Sequence, residues 1–397
     1  MYERIDPAKK TGPLGIYVHV PYCIRKCRYC DFVSFEKAPE DEYFRRIAQD
    51  IEKGANAAAG LLGTAGRKPS ADTVFFGGGT PSLASKEQLG TVLDAIRNAF
   101  ELSPDAEMTI EMNPETVTAG KASELKALGF SRVSMGVQSL DDKVLKAMGR
   151  IHGADRARKA YAALREAGFD NINLDLIFGA PEQELKSWKD TLDEVISMRP
   201  EHISFYSLQL EEGTPLYKDY TSGRADLPPW ELNREMYRYA LGTLKAAGYH
   251  HYEISNAALP GFECRHNLKY WSMQPYLGFG TSAHSFIEGR RGEADYCKGS
   301  TLGLKEETEE ELKGDFIFTG LRLTRGLYAA DWKSMFGSDI FEELREPLEE
   351  LIGKGLLSAE EGSCGTHPGK VIRFTPEGLD RTNPVMEELI GALGGSK

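Results

Sequence analysis

The chain alternates between short apolar runs rich in β-branched residues and longer stretches with helical periodicity. The six apolar runs are Ile16–Val20, Thr73–Phe76, Met108–Met112, Arg132–Val137, Ile172–Phe178 and His202–Leu210. The amphipathic stretches between them are Asp41–Lys53, Lys86–Phe100, Ala119–Leu128, Asp155–Ala167 and Leu185–Met198. Alternation at this spacing predicts βαβ units, with a parallel sheet covered by helices. Six units are too few for a complete eight-fold barrel, so the pattern predicts an α/β protein with a partial (β/α)6 TIM-like barrel.

The pattern changes after residue 248. Residues 249–299 are aromatic and glycine-rich without clear periodicity, and the acidic stretch Lys305–Glu311 that follows is typical of a linker or a solvated helix face. The remaining elements predicted are helices at Phe316–Leu323, Ala329–Phe336 and Phe341–Lys354, strands at Leu356–Ser358 and Val371–Phe374, and a final helix. We therefore predict a barrel over residues 1–248, an aromatic segment with an acidic linker over 249–312, and a C-terminal α+β winged-helix-like domain over 313–397.

Charge and hydropathy restrict the function and the location. The 397 residues include 48 Lys and Arg against 60 Asp and Glu, for a net charge of −12. Nucleic-acid binding depends on neutralising phosphates, so no nucleic-acid partner is expected, and the helix at the recognition position of the winged helix is itself glutamate-rich. The chain has no apolar run of about 18 residues, and Met1–Gly15 has no apolar leader. We therefore expect a cytoplasmic protein, peripheral at the membrane only through its partners.

Three of the six cysteines lie close together directly after the first predicted strand. Cys23, Cys27 and Cys30 form a C-x3-C-x2-C loop. Three thiolates on one loop can hold three irons of a [4Fe–4S] cluster and leave the fourth iron without a protein ligand. Basic residues between the cysteines are expected to lower the thiol pKa values. The alternatives are a structural zinc site, which normally uses four ligands in two pairs, and three unconnected structural thiols.

This cysteine loop after the first strand of a barrel resembles the radical S-adenosylmethionine (SAM) superfamily. The resemblance implies that SAM chelates the open iron through its amino and carboxylate groups. An electron from the cluster then cleaves the sulfonium to methionine and a 5′-deoxyadenosyl radical. The SAM contacts that the resemblance implies are Tyr17, Gly78, Gly79, Thr80, Glu111, Gln138, Arg150 and Asp175.

The residue types at these positions suit such a ligand. The glycines of Gly77–Thr80 let the backbone approach closely, although a glycine triplet alone is also typical of a tight turn. Glu111 can accept hydrogen bonds from ribose hydroxyls or the amino group, and Arg150 can pair with the carboxylate as a fork. Tyr17 fits an aromatic core residue equally well.

Further segments are similar to the oxygen-independent coproporphyrinogen III oxidase group: Tyr17–Cys23, Gly77–Ser82, Gly136–Ser139, Asn173–Ile177 and Tyr206–Leu208. That group contains decarboxylating oxidases and HemW-type haem chaperones. The oxidases carry an additional cysteine two positions after the third, where this chain has Phe32, and a longer arm than the 22 residues before Cys23. Residues 266–271 match the HNxxYW motif of HemW-type proteins. These features favour the chaperone type.

The HNxxYW motif has a physical interpretation as a haem contact. Imidazole is a common axial ligand of haem iron, and Tyr and Trp present flat faces to a porphyrin. A lone histidine is also often a hydrogen-bonded core residue, and Cys264, His284 and His152 are the other candidate ligands. The predicted haem-binding residues are His266, Asn267, Tyr270 and Trp271.

Two functions follow from the resemblance. The first is a haem chaperone with a [4Fe–4S] cluster and SAM, which passes haem to client haemoproteins such as membrane respiratory enzymes and forms a homodimer. The alternative is an oxygen-independent coproporphyrinogen III dehydrogenase, which converts propionates to vinyl groups in haem biosynthesis; another radical SAM reaction on a tetrapyrrole is a third. A propionate-rich substrate needs cations at the barrel mouth, where Arg150 is the one obvious candidate, and this favours the chaperone.

Overall fold

A twelve-stranded sheet organises the chain, in a computed structural model that describes residues 12–294, 301–364 and 367–394. In chain order, the strands of this sheet and of two smaller ones are β1 (Leu14–Val20), β2 (Tyr22–Cys23), β3 (Phe35–Glu36), β4 (Ser70–Gly78), β5 (Glu101–Met112), β6 (Arg132–Gln138), β7 (Ile172–Phe178), β8 (His202–Ser207), β9 (His250–Glu253), β10 (Asn256–Ala258), β11 (Tyr276–Phe279), β12 (His284–Ile287), β13 (Arg290–Glu293), β14 (Lys305–Glu306), β15 (Leu327–Tyr328), β16 (Leu357–Cys364) and β17 (His367–Phe374). The α-helices are α1 (Asp41–Leu61), α2 (Lys86–Ala99), α3 (Ala119–Leu128), α4 (Asp142–Ala147), α5 (Ala154–Glu166), α6 (Leu185–Met198), α7 (Pro215–Thr221), α8 (Trp230–Ala246), α9 (Arg265–Trp271), α10 (Glu309–Arg322), α11 (Ala329–Phe336), α12 (Ile340–Glu343), α13 (Arg345–Gly353) and α14 (Thr382–Leu393).

Seven neighbouring strands of the large sheet are parallel, in the order β11-β1-β4-β5-β6-β7-β8. Six of them, β1 and β4 to β8, coincide with the six predicted apolar runs. Strands buried on both faces are almost continuously apolar, and β6 is buried along its whole length. Within the described residues the strand order does not close on itself. The predicted partial barrel of six βα units is therefore confirmed.

The seventh parallel strand, β11, comes from the aromatic segment, for which the sequence pattern predicted no elements. It has only four residues, too few for a clear period. One of them, Gly278, approaches the next strand so closely that a Cβ would lie 2.1 Å from the carbonyl oxygen of His284. Strands β9 to β13 of this segment extend both edges of the main sheet. The predicted limits of the three chain regions remain predictions.

Capping residues set the ends of several helices. Ser85 and Gln88 form a reciprocal capping box at the start of α2, and α3 ends at Gly129 with a φ of 99°. Helix α10 begins seven residues before its predicted start, because Thr308 and Glu311 form a second capping box within the acidic stretch. Among the described residues, no helix is both long and apolar enough to cross a bilayer.

The C-terminal region has the predicted winged-helix-like order of helices followed by a hairpin, here α10 to α13 and then β16 and β17. The predicted third helix is divided at Leu344, because Pro347 has no N–H and its ring would clash with the carbonyl of Glu343. A second apolar core, which includes Trp332, joins this region to Tyr276 and other residues at the edge of the main sheet. The C-terminal region therefore packs against the strands that follow the HNxxYW motif.

Candidate functional site

A cavity of about 530 Å³ lies at the carboxyl ends of the parallel strands, where barrels of this kind place their chemistry. We call it the first cavity. All three clustered cysteines line it. The predicted SAM contacts that also line it are Tyr17, Gly78, Gly79, Glu111, Gln138, Arg150 and Asp175. Thr80 does not line the cavity, but it contacts the cysteine loop, because its hydroxyl donates to Cys23 Sγ at 3.6 Å. The structure thus brings together residues from six strands that are far apart in the sequence.

The cysteine loop is held in place at several points. Strand β2, which contains Cys23, pairs with β3. The backbone N–H of Lys26 donates to Glu36 Oε1 at 2.8 Å, and its Nζ donates to the carbonyl oxygen of Phe32 at 2.8 Å. Within the loop, the N–H of Cys30 donates to the carbonyl oxygen of Cys27 at 3.3 Å. These bonds hold the backbone that carries all three thiols.

Burial outweighs the nearby cations at two of the three thiols. It raises the pKa of the Cys23 thiol, and it raises the pKa of Cys30 to about 11 although the charge of Lys26 acts to lower it. Arg28 does not reach these thiols, because its guanidinium pairs with Asp219 and donates to the carbonyl oxygen of Ala147. Lys26 therefore helps to lower the Cys30 pKa, as predicted, but by less than burial raises it. A bound metal supplies the positive charge that deprotonates a coordinating thiol.

All three thiols lie on one loop at the edge of the first cavity. A zinc site needs ligands about 2.0–2.3 Å from one centre, whereas each thiolate of a cluster binds a different iron. Three thiolates with no fourth protein ligand on the loop are the donor set that a [4Fe–4S] cluster with one open iron uses.

Arg150 links the cysteine loop to the strand ends. Its Nη1 donates to Cys27 Sγ at 3.2 Å, and its Nη2 donates to Asn113 Oδ1 at 2.6 Å and to the carbonyl oxygen of Gly136 at 2.8 Å. Asn113, which the sequence reasoning missed, also donates from Nδ2 to Thr80 Oγ1 at 3.0 Å. Its only sequence signal is its position directly after a strand. These three bonds leave the Nε–H and one Nη1–H of Arg150, and the hydroxyl of Tyr29 also interacts with the guanidinium.

Glu111 carries the most strongly shifted carboxyl of this cavity. It accepts a 3.0 Å hydrogen bond from the N–H of Gly78. Burial, together with the neighbouring Asp175, raises the pKa of Glu111 to about 8. Burial also raises the pKa of Asp175, which lies in the middle of β7 rather than at its end. A protonated Glu111 can donate as well as accept hydrogen bonds.

Two features of the cavity wall fit a bound polar ligand. Gln138 ends β6 with a φ of 66°, and its Oε1 is buried without a hydrogen-bond partner among the described residues. Strain in a non-glycine residue persists where surrounding structure enforces it, commonly at ligand sites. Gly79 leaves no room for a side chain, since a Cβ would lie 2.8 Å from the carbonyl oxygen of Tyr22. The unpaired buried acceptor of Gln138 suits an amino or hydroxyl group of SAM, whereas Gly79 is required by the close approach of the Tyr22 backbone.

The variant Arg150→Lys tests this part of the site. We expect its affinity for SAM to fall about 10- to 100-fold, because lysine keeps the charge but loses the fork, and a charge-assisted hydrogen bond contributes about 1.5–3 kcal/mol. Equilibrium dialysis of anaerobically reconstituted protein measures this. Arg158→Lys is the control, since Arg158 pairs with Glu194 on the surface. Iron content is checked in both proteins, and equal SAM affinity at equal iron content would remove Arg150 from the SAM site.

Arg132 lines the first cavity together with Arg150, Arg25 and Lys26, and the sequence reasoning did not count it. It begins β6 and is only 1% exposed. Its Nε has no hydrogen-bond partner among the described residues. Because Arg132 stands at the amino end of its strand and the barrel mouth is at the carboxyl ends, the expectation that Arg150 is the one obvious cation for propionates at the mouth stays a prediction. A charged residue opening an otherwise apolar run was the available signal.

The HNxxYW motif forms α9 and divides its side chains between two cavities. Asn267 lines the first cavity, and Trp271 lines a second cavity of about 680 Å³. Tyr270 lines both. His266 is buried and lines the first cavity, with Nδ1 2.8 Å from Thr73 Oγ1 and Nε2 2.7 Å from the hydroxyl of Tyr270. The two cavities therefore adjoin at this helix.

The structure separates the candidate haem ligands. Burial lowers the pKa of His266 to about 3, so its imidazole is neutral, with both nitrogens engaged. Burial raises the pKa of Cys264 to about 12, which leaves no thiolate at neutral pH. His152 lines neither cavity and lies 3.2 Å from Glu115. His284 is exposed and lines the second cavity.

Comparisons with known proteins cover nearly the whole chain. The model of the radical SAM superfamily matches residues 17–195, and that of the HemN C-terminal domain matches residues 308–379. The chain is 36% identical over 371 residues to heme chaperone HemW of Bacillus subtilis, covering 90% of this chain and 96% of that protein. It is 34% identical over 364 residues to heme chaperone HemW of Escherichia coli, covering 88% and 93%.

A mitochondrial relative and a solved structure extend these matches. Radical S-adenosyl methionine domain-containing protein 1 of Bos taurus is 33% identical over 411 residues, which cover 98% of this chain and 90% of that protein. The solved structure of coproporphyrinogen III oxidase (HemN) from Escherichia coli, a radical SAM enzyme, has a TM-score of 0.75 at 20% identity and covers 98% and 92% of the two chains. At that identity the likeness shows a common fold.

Proposed function

Because this chain belongs to the radical SAM superfamily and, within it, to the HemW family, we propose that it is a haem chaperone, which binds haem and transfers it to client haemoproteins. Cys23, Cys27 and Cys30 would hold a [4Fe–4S] cluster, and the lining of the first cavity would hold SAM. When bound, the cluster and SAM supply one-electron chemistry at the cavity mouth. In a chaperone they support transfer or dimerisation rather than turnover.

The observation that carries this proposal is the second cavity and its place beside the first. Its volume of about 680 Å³ lies within the usual range of small-molecule sites. Its aromatic walls include Tyr270 and Trp271 of the HNxxYW motif, together with Tyr276, Phe286 and Phe318. Aromatic faces of this kind bind a flat apolar macrocycle. Both cavities share Phe32, so haem would lie next to the cysteine loop.

His266 supports this cavity through Tyr270. The 2.7 Å hydrogen bond between the Tyr270 hydroxyl and His266 Nε2 orients the tyrosine ring, which also meets Tyr276 edge-on at a centroid distance of 4.5 Å. Trp271 lines the same cavity, and the guanidinium of Arg322 lies 4.4 Å from its ring centroid. We propose that Tyr270 and Trp271 contact the porphyrin, that Asn267 faces SAM, and that His266 positions Tyr270.

The partners follow from the proposed function. They are haem and client haemoproteins; membrane respiratory enzymes as clients, a homodimer and a cytoplasmic location remain predictions. No nucleic-acid partner is proposed, because α13 carries glutamates where a winged helix that reads DNA needs cations.

A haem-transfer experiment tests the proposal. Anaerobically reconstituted protein is titrated with hemin and then mixed with a haem-free b-type cytochrome. We expect a shifted Soret band on hemin binding and formation of holo-cytochrome faster than from hemin bound to serum albumin, a passive carrier. Failure to bind hemin, or transfer no faster than from albumin, would contradict the chaperone function.

The same preparation separates the chaperone from the alternative enzyme. It is incubated with SAM, a reductant and coproporphyrinogen III. We expect no protoporphyrinogen beyond a single turnover, since Phe32 occupies the position of the additional cysteine of the oxidases. Multiple turnovers would establish the coproporphyrinogen III dehydrogenase instead.

A further inference from the structure

His284 lies in the second cavity with its imidazole uncommitted. The side chain is exposed and lines the cavity with Tyr270 and Trp271. Within the part of the chain that the structure describes, no group hydrogen-bonds its ring nitrogens. We propose that His284 is the axial ligand of haem iron in this cavity, an inference that rests on the proposed haem-binding function.

The other histidines of this region already use both ring nitrogens. His266 bonds to Thr73 and Tyr270, as described above. His19, which also lines the second cavity, has Nε2 2.8 Å from the carbonyl oxygen of Val33 and Nδ1 3.2 Å from the hydroxyl of Tyr17. Either residue would have to break a buried hydrogen bond to bind iron, at a cost of about 1–3 kcal/mol. His284 binds without that cost.

Hydrogen bonds hold the backbone on both sides of His284 in place. The N–H of Ala283 donates to the carbonyl oxygen of Gly280 at 3.1 Å, and that of Ala294 donates to the carbonyl oxygen of Ala283 at 2.9 Å. The N–H of Thr281 donates to the hydroxyl of Tyr43 at 3.1 Å. A ligand on a rigid element is oriented before the metal arrives, which lowers the entropic cost of binding.

The strands around His284 supply both a porphyrin face and a second partner for the imidazole. Phe286 lies two residues along β12 and therefore on the same side of the strand, and it lines the same cavity. Glu293 stands directly opposite His284 on β13 and also lines the cavity. Metal-bound histidines usually donate their second N–H to such a carboxylate.

The charges around the cavity set the direction of the haem. Arg291 stacks on Phe286 with 5.1 Å to the ring centroid, but it is already paired with Glu307 and Asp315. Among the described residues that line the cavity, no arginine is left uncommitted for the two propionates. We therefore expect the propionates to extend out of the cavity into solvent.

Spectroscopy of hemin-loaded variants tests this assignment. Wild type, His284→Ala and His266→Ala are compared with His250→Ala, whose exposed histidine lines neither cavity. We expect the histidine-ligated electron paramagnetic resonance and Soret signals to be lost in His284→Ala and to return on addition of imidazole. They stay in His250→Ala and in His266→Ala, in which hemin binds more weakly because Tyr270 is less well positioned.

Each other outcome has a distinct meaning. An unchanged signal in His284→Ala, or loss of the signal in His266→Ala alone, would overturn the assignment of the ligand while leaving haem binding intact. Failure of imidazole to restore the signal in folded His284→Ala would also count against direct ligation. Wild-type protein that binds no hemin at all would instead contradict the proposed function.

Discussion

Cys27→Ala is expected to lose the [4Fe–4S] cluster almost completely. Each of the three cysteines can bind one iron, and the fourth iron is left for SAM, so the loop has no spare thiolate. Among the described residues, the remaining cysteine, Cys264, is buried and does not line the first cavity, and its thiol donates to Glu107 Oε1. Loss of one ligand therefore leaves two irons without protein contact, and the cluster dissociates.

Iron and acid-labile sulfide per chain, measured after anaerobic reconstitution, report this loss together with the visible absorbance of the cluster. Cys264→Ala is the matched control, because it removes a buried thiol without touching the loop. Circular dichroism of both variants verifies that the barrel is folded. Full iron content in Cys27→Ala would show that the three cysteines do not form the cluster site.

Glu111→Gln is expected to remove a large pH-dependent penalty from the stability of the SAM-free protein. In the folded state Glu111 has a pKa of about 8, against an ordinary value of 4.5. Between these two values the unfolded chain is ionised and the folded chain holds a proton, so the free energy of unfolding falls as the pH rises. The difference between the folded and unfolded pKa values of Glu111 lowers the free energy of unfolding by at most about 5 kcal/mol, and this loss is complete above pH 8.

Urea unfolding at pH 5, 6.5 and 8.5 measures the effect. We expect Glu111→Gln to gain stability relative to wild type with each step in pH, by several kcal/mol over the whole range. Glu101→Gln, at the exposed start of the same strand, should follow wild type at every pH. A constant difference between Glu111→Gln and wild type would show that Glu111 ionises with an ordinary pKa.

Much of the fold could be predicted because its signals are local. The six apolar runs became six parallel strands, and α3 and α6 have their predicted ends. Local sequence patterns did not predict an element correctly where the element was short or where a single residue shifted its start or divided it. Strand β11 has four residues, Pro347 divides a helix, and a Thr308–Glu311 capping box starts α10 earlier than the apolar pattern does.

The sequence predicted most of the residues of the candidate site, but it did not predict how they are placed relative to one another. The cysteine spacing identified the loop, and the residues at strand ends identified most of the first cavity. Asn113 and Arg132 were missed, because neither belongs to a motif. The motif residue His266 proved to be a buried hydrogen-bonding residue, whereas the exposed His284 has no hydrogen-bond partner among the described residues and lines a cavity that the sequence did not predict.

The sequence by itself therefore determined the parallel α/β architecture, the cysteine loop and the family, since each depends on residues close together along the chain. The tertiary structure alone decided the burial that raises the thiol and Glu111 pKa values, the division of the HNxxYW motif between two cavities, and which of the candidate histidines is accessible in a cavity. Protonation and ligand access depend on which distant side chains surround a group, and only the packing of the folded chain specifies those neighbours.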